Sequence, residues 1–189
     1  MKEVRPTSGR VLLALFSVLN SMSLGNMRFG NVTEGWAFLD LFAGTGQVGI
    51  EALKRGASSV VMVEVLKNRA AGIERALPRG CGADVTVLSL ELRRALSWLT
   101  RRGRVFDVVF ADPPYNEGWG ASLLQEKALP RVLKREGVLV VEHASREALF
   151  VPETWTLTDV RSYGESSLTF LRKPEGEEER SDQTGFSGA

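Results

Sequence analysis

Residues 38–53 read FLDLFAGTGQVGIEAL. The first residues form a continuous apolar run with the character of a buried strand, and the last carry helical spacing. Between them, Gly44-Thr45-Gly46-Gln47-Val48-Gly49 is literally G-x-G-x-x-G, the nominal signature of a dinucleotide site. Glycines at such a turn let the backbone bend tightly and let a ligand approach a helix N-terminus. They do not say which ligand.

The neighbouring residues bear on that choice. Asp40 ends the strand four residues before Gly44, and Asp112 ends another strand expected beside it. A pyrophosphate next to two carboxylates is disfavoured by about 1–4 kcal/mol per close pair, depending on the effective dielectric. A ligand with cationic centres is favoured, and S-adenosylmethionine carries a sulfonium and an α-amino group. Glu64, ending the following strand, is a candidate for ribose hydroxyls, but both ligands have a ribose and this does not discriminate.

Outward from this loop the pattern alternates. Residues 8–22 read as a helix with Thr7 or Ser8 as N-cap. Strands are expected at 36–42, 58–65, 84–90, 105–115 and 136–144, with helices at 48–54, 68–77, 92–102 and 121–135. Residues 154–163 and 166–173 alternate with period two around Gly164-Glu165, as in a closing antiparallel hairpin. Continuous apolar strands alternating with helices define an α/β fold: a mostly parallel, seven-stranded sheet covered on both faces. Ligands in such sheets sit at the carboxyl ends of the strands, near the switch point. Those ends supply Asp40, Glu64, Glu91 or its neighbours, Asp112 and Glu142.

The second motif is Asp112-Pro113-Pro114-Tyr115. Two prolines end the strand rigidly and leave carbonyls free to accept hydrogen bonds. A carboxylate and a carbonyl can accept both hydrogens of a flat exocyclic amine while the Tyr115 ring stacks on its base. Accepting those hydrogens localises the amine lone pair for in-line attack on a methyl group, a case of electrostatic preorganisation.

Composition narrows the rest. The chain has 189 residues, enough for one domain with a substantial core, and a formal net charge of +1, so nucleic-acid binding has to rest on local patches. One cysteine and one histidine argue against a disulfide framework and a cysteine- or histidine-ligated metal site. The start of the sequence is no signal peptide and no apolar run is long enough to span a bilayer, which together suggest a cytoplasmic setting. Residues 173–189 are polar and acidic and are expected to form a disordered tail. Arginines 93, 94, 101, 102 and 104, with Lys127, Arg131, Lys134 and Arg135, are candidate phosphate contacts or a solvated helix face. Trp119 either covers the target base or packs under its loop. His143 is read as a strand-end surface histidine without a catalytic role.

The segments RPTSGRVLLALFSVL, LDLFAGTGQVGIEAL, VMVE, FADPPY and YGESSLTFL, spread from Arg5 to Leu171, resemble the bacterial 16S rRNA guanine-N2 methyltransferases. The resemblance implies an S-adenosylmethionine-dependent enzyme with a Rossmann-like class I methyltransferase fold over residues 1–172, residues 1–35 being a helical lead-in. It implies that Asp40, Phe42, Gly44, Gly46, Glu64, Glu91 and Thr7 line the cofactor, and that Asp112, Pro113, Pro114 and Tyr115 hold the guanine amine. Arg5, Ser8, Arg10 and Trp119 would border the substrate, which is ribosomal RNA or an assembling small subunit. The chain departs from the family in two places: four residues precede Arg5 where a longer basic segment is usual, and Gly9 replaces an acidic residue. Another RNA, adenine N6 in DNA, a non-catalytic assembly factor and a dinucleotide oxidoreductase are the alternative readings.

Overall fold

Apolar strands and amphipathic helices alternate along the chain because the inner strands of the sheet are buried on both faces and the helices cover those faces. The structure, a computed structural model, describes residues 9–22, 35–78, 80, 82–114 and 119–173. In chain order the elements are α1 (Gly9–Ser21), β1 (Trp36–Asp40), α2 (Gln47–Lys54), β2 (Ala57–Val63), α3 (Lys67–Ala76) and β3 (Asp84–Leu88). Then come α4 (Leu92–Arg101), β4 (Phe106–Ala111), α5 (Trp119–Leu124), β5 (Leu133–Ala144), β6 (Thr156–Tyr163) and β7 (Ser166–Arg172). One seven-stranded sheet has the order β3-β2-β1-β4-β5-β7-β6. The pairings from β3 to β5 are parallel, and β7 is antiparallel to both β5 and β6. The order reverses at β1 and β4, which opens a crevice at their carboxyl ends.

Strand alternation sorts the core into two layers. Phe38, Val60, Met62, Val108, Phe110, Val140 and Phe170 face α1 and α2. Leu39, Val61, Val109, Leu139, Val141 and Leu171 face α4 and α5. α1 buries Val11, Leu12, Leu15, Phe16 and Leu19, the stripe of a 3.6-residue period. One carboxylate sits inside a fully buried strand: Asp107 of β4 accepts hydrogen bonds from Ala37 N–H (2.8 Å) and Lys134 Nζ (2.9 Å), which compensates its removal from water.

The largest departure from the sequence reading is the helix expected at 121–135. α5 stops at Leu124, a 3₁₀ turn spans Pro130–Val132, and β5 already begins at Leu133. Pro130 lacks the N–H a continuous helix needs, and Leu133 is buried where it pairs with Phe106. The strand expected at 84–90 ends at Leu88, leaving Glu91 as the N-cap residue of α4. The hairpin turns at Gly164, φ +65°, as expected. The proposed caps Thr7 and Ser8 and the acidic tail beyond Lys173 lie outside the described residues. Among the described residues, no helix is long and apolar enough to cross a membrane.

Candidate active site

Three carboxylates end up side by side at the crevice. Asp40 shares a face of β1 with Phe38, and Glu142 shares a face of β5 with Val140, the α1-covered side of the sheet. Asp112 follows β4 immediately, one step beyond the Ala111–Val141 pair that precedes Glu142. Burial raises two of these acids, Asp40 and Asp112. Asp112 is pushed up to about 8, first by desolvation, then by the charges of Glu142 and Asp40. Asp40 is 1% exposed and is pushed up to about 7 by desolvation. The nearby Phe42 and Gly49 N–H groups pull it back from outside good hydrogen-bond geometry, and Glu64 adds a smaller upward push. Neither Asp40 oxygen has a hydrogen-bond partner among the described residues.

The glycine loop stands over this acid. Gly44 (φ +55°) and Gly46 (φ +79°) adopt left-handed backbone, and Gly46 is the N-cap residue of α2. A Cβ on Gly46 would come within 2.9 Å of Ile73 Cγ2. Gly49 serves packing instead, since a Cβ there would collide with the Met62 side chain; this glycine lets α2 lie close on β2. The loop is fixed from the next strand. Glu64, 6% exposed, accepts Gly44 N–H at 3.0 Å through Oε2 and Leu66 N–H at 2.8 Å through Oε1. Each oxygen retains acceptor capacity for a further donor.

An unpartnered buried acid, a glycine cradle and a carboxylate fixing its rim fit S-adenosylmethionine, whose charge offsets the stranded negative charge of Asp40. They do not fit a dinucleotide pyrophosphate, and the oxidoreductase reading of G-x-G-x-x-G is set aside. Asp40, Gly44, Gly46 and Glu64 are the residues that would hold the cofactor.

The remaining expected site residues divide. Phe42, half-buried, meets Trp119 edge-to-face at 5.8 Å and 75°, a contact that ties α5 to the segment after β1. Pro113 is buried and Pro114 exposed. Glu91 is exposed at the start of α4, and its side chain makes no cap hydrogen bond. Arg10 is exposed on the first turn of α1, the helix covering the carboxylate-bearing face. Arg5, Thr7, Ser8 and Tyr115 lie outside the described residues. His143 corrects the surface reading: it is half-buried, and Nε2 meets Thr169 Oγ1 at 2.8 Å. The sequence reading placed Glu142 at a strand end but gave it no role. Its position after four buried apolar residues, Val138 to Val141, was the available signal.

The 3-2-1-4-5-7-6 sheet, with this acid-and-glycine crevice at its switch point, defines the Rossmann-like, S-adenosylmethionine-dependent methyltransferases, and the chain is an enzyme of that class. Residues 1–172 match the family model described as "Conserved hypothetical protein 95", and the chain belongs to that family. Ribosomal RNA small subunit methyltransferase D of Escherichia coli (strain K12) is 27% identical over 179 residues, covering 92% of this chain and 82% of that protein. The protein of the same name from Buchnera aphidicola subsp. Acyrthosiphon pisum (strain APS) is 27% identical, covering 82% and 74%. A solved structure of a hypothetical protein from Thermus thermophilus superposes with a TM-score of 0.71 at 28% identity, covering 91% of this chain and 90% of the other.

Proposed function

We propose that the enzyme methylates ribosomal RNA of the small subunit, and that the acceptor is the exocyclic N2 amine of a guanine. The observation that carries this reading is the placement of Asp112 and the buried Pro113 beside the unpartnered Asp40. A flat amine attached to an aromatic base is a weak nucleophile because its lone pair is delocalised. Asp112 and the Pro113 carbonyl accept its two hydrogens and draw the nitrogen toward tetrahedral geometry. Tyr115 stacks on the base and fixes its plane. When bound, S-adenosylmethionine supplies the electrophilic methyl group; Asp40 and the glycine loop set its position, which provides the proximity contribution. After transfer the nitrogen gives up one proton, and ionised Asp112 is the group placed to receive it. The relatives named as ribosomal RNA small subunit methyltransferases support the substrate class. On this reading residues 1–172 form one catalytic domain working in the cytoplasm on rRNA or an assembling small subunit.

The test is mass spectrometry of nucleosides from small-subunit rRNA of a strain lacking the gene, with the purified enzyme added back to the RNA or subunit. Loss of one N2-methylguanine, restored by wild type and not by Asp112→Ala, is the expected result. Unchanged rRNA would sink the substrate, and methyl appearing on another atom would sink the guanine N2 assignment.

A further inference from the structure

α4 is sharply divided between an apolar and a basic face. Leu92, Ala95, Leu96 and Leu99 are buried against the sheet. A second stripe at the same helical spacing, Leu90, Arg93, Arg94, Ser97, Trp98 and Arg101, lines a shallow groove open to solvent. Residues 90–104 hold five arginines against one acid, Glu91, in a chain of 24 basic and 23 acidic residues, so outside this stretch acids outnumber bases. The bland alternative is a solvated helix face neutralised by its neighbours, but most of these charges are not neutralised. Arg93 pairs with Glu126 at 2.7 Å and remains 81% exposed, and Arg104, beyond the groove, pairs with Asp84. Arg94 and Arg101 are exposed and have no ion pair among the described residues.

Arg102 adds a preorganised cation. Its guanidinium lies 3.9 Å from the centroid of the Trp98 ring, which holds the planar fork in place without consuming its charge or donors. Arg94 and Arg101 are seven residues apart, about 10 Å along the axis, far enough to take separate phosphates. Such a stripe of forked donors along an open groove suits the backbone of a nucleic-acid strand rather than a single anion.

We propose that the outer face of α4 is a phosphate-binding surface for the RNA substrate, grasping backbone away from the reacting base. This rests on the rRNA reading above and adds to it where the RNA lies: along the α4 side of the sheet. The contacts are to phosphates, so they supply affinity and register rather than base specificity.

The test compares full-length wild type, Arg94→Ala/Arg101→Ala and a charge-matched α3 control, Lys67→Ala/Arg75→Ala. Each is measured for binding to transcribed small-subunit rRNA over a range of KCl, and for S-adenosylmethionine affinity by calorimetry. The α4 variant should bind rRNA several-fold more weakly, with a log K against log salt slope shallower by roughly 1 to 2, about 0.7–0.9 per lost phosphate contact. Its cofactor affinity and the control's salt slope should match wild type. Equal slopes in the two variants, or no loss in the α4 variant while wild type binds, would overturn the surface and leave the rRNA reading standing. Wild type failing to bind either rRNA or the assembled subunit would overturn both.

Discussion

Asp112, immediately after β4, and Glu142 of the adjacent β5 each lie one step past the paired residues Ala111 and Val141. Burial first, and then the Glu142 and Asp40 charges, hold the Asp112 carboxyl up at about 8. Asp112 accepts N–H bonds in its ionised form, so methyl transfer should rise with pH through that region. Replacing Glu142 by Gln removes one repelling charge at nearly constant volume, and Asp40 remains. The acid limb of the rate–pH profile should then move to lower pH, by roughly one unit. An unmoved limb, in a variant whose melting curve shows it folded, would mean that the Glu142 charge does not act on Asp112.

The same burial makes stability pH-dependent in a direction opposite to that of a paired carboxylate. Asp40 and Asp112 bind a proton more tightly in the folded state than the ordinary value of 3.8 allows. Their contribution to stability is therefore complete below about 3.8 and is lost as pH rises through about 7 and about 8. The melting temperature of the ligand-free protein should fall across this window, and Asp40→Asn should flatten its lower part. A variant that follows the wild-type curve would show that Asp40 does not titrate there.

Cofactor binding should run the other way. A sulfonium and an ammonium favour ionised Asp40, so binding below about pH 7 releases a proton and affinity rises with pH. One proton released corresponds to at most a tenfold gain per pH unit. Calorimetry in buffers of different ionisation enthalpy measures the release directly. It should disappear in Asp40→Asn, along with much of the affinity; release persisting in the variant would place the titrating group elsewhere.

How much of this was legible in the sequence depended on the range of the physics involved. The strand–glycine–helix unit around Gly44 is local, and the α/β alternation follows from side-chain period, so both could be read directly. Helix 121–135 failed because Leu129 to Lys134 carry an apolar spacing that suits a helix or a strand, and pairing with β4 decided between them. Pro130 was the local clue. Asp40, Glu64 and Asp112 are legible as candidates because strand ends at a switch point are where a parallel sheet binds ligands. The weight of Glu142 was not legible, since its proximity to Asp112 arises from the β4–β5 register. The Trp119 clasp on Phe42 had the same limit: two residues far apart in sequence meet only once the sheet is assembled.

Gly46 should be the least replaceable residue of the loop. Its φ of +79° costs a non-glycine residue about 1–2 kcal/mol, and an added Cβ would press on Ile73 of α3. Gly46→Ala should lower stability by at least that amount, shift the N-terminus of α2, and weaken cofactor binding beyond what the stability loss explains. Denaturant unfolding and calorimetry together check this. Wild-type values of both would show that the loop accommodates a side chain.

The contact between Phe42 and Trp119 joins the segment after β1, next to the cofactor loop, with the helix that follows the Asp112 motif. An edge-to-face pair contributes about 0.5–1.5 kcal/mol beyond the apolar area it buries. A double-mutant cycle with Phe42→Leu and Trp119→Leu should recover a coupling of that order in unfolding free energy. Trp119 lies four residues after Tyr115, the proposed base-stacking residue, so Trp119→Leu should raise the KM for RNA more than the KM for S-adenosylmethionine. Trp119→Phe keeps an aromatic edge and should restore most of the loss. Equal effects on both KM values, or no rescue by phenylalanine, would reduce the contact to ordinary packing.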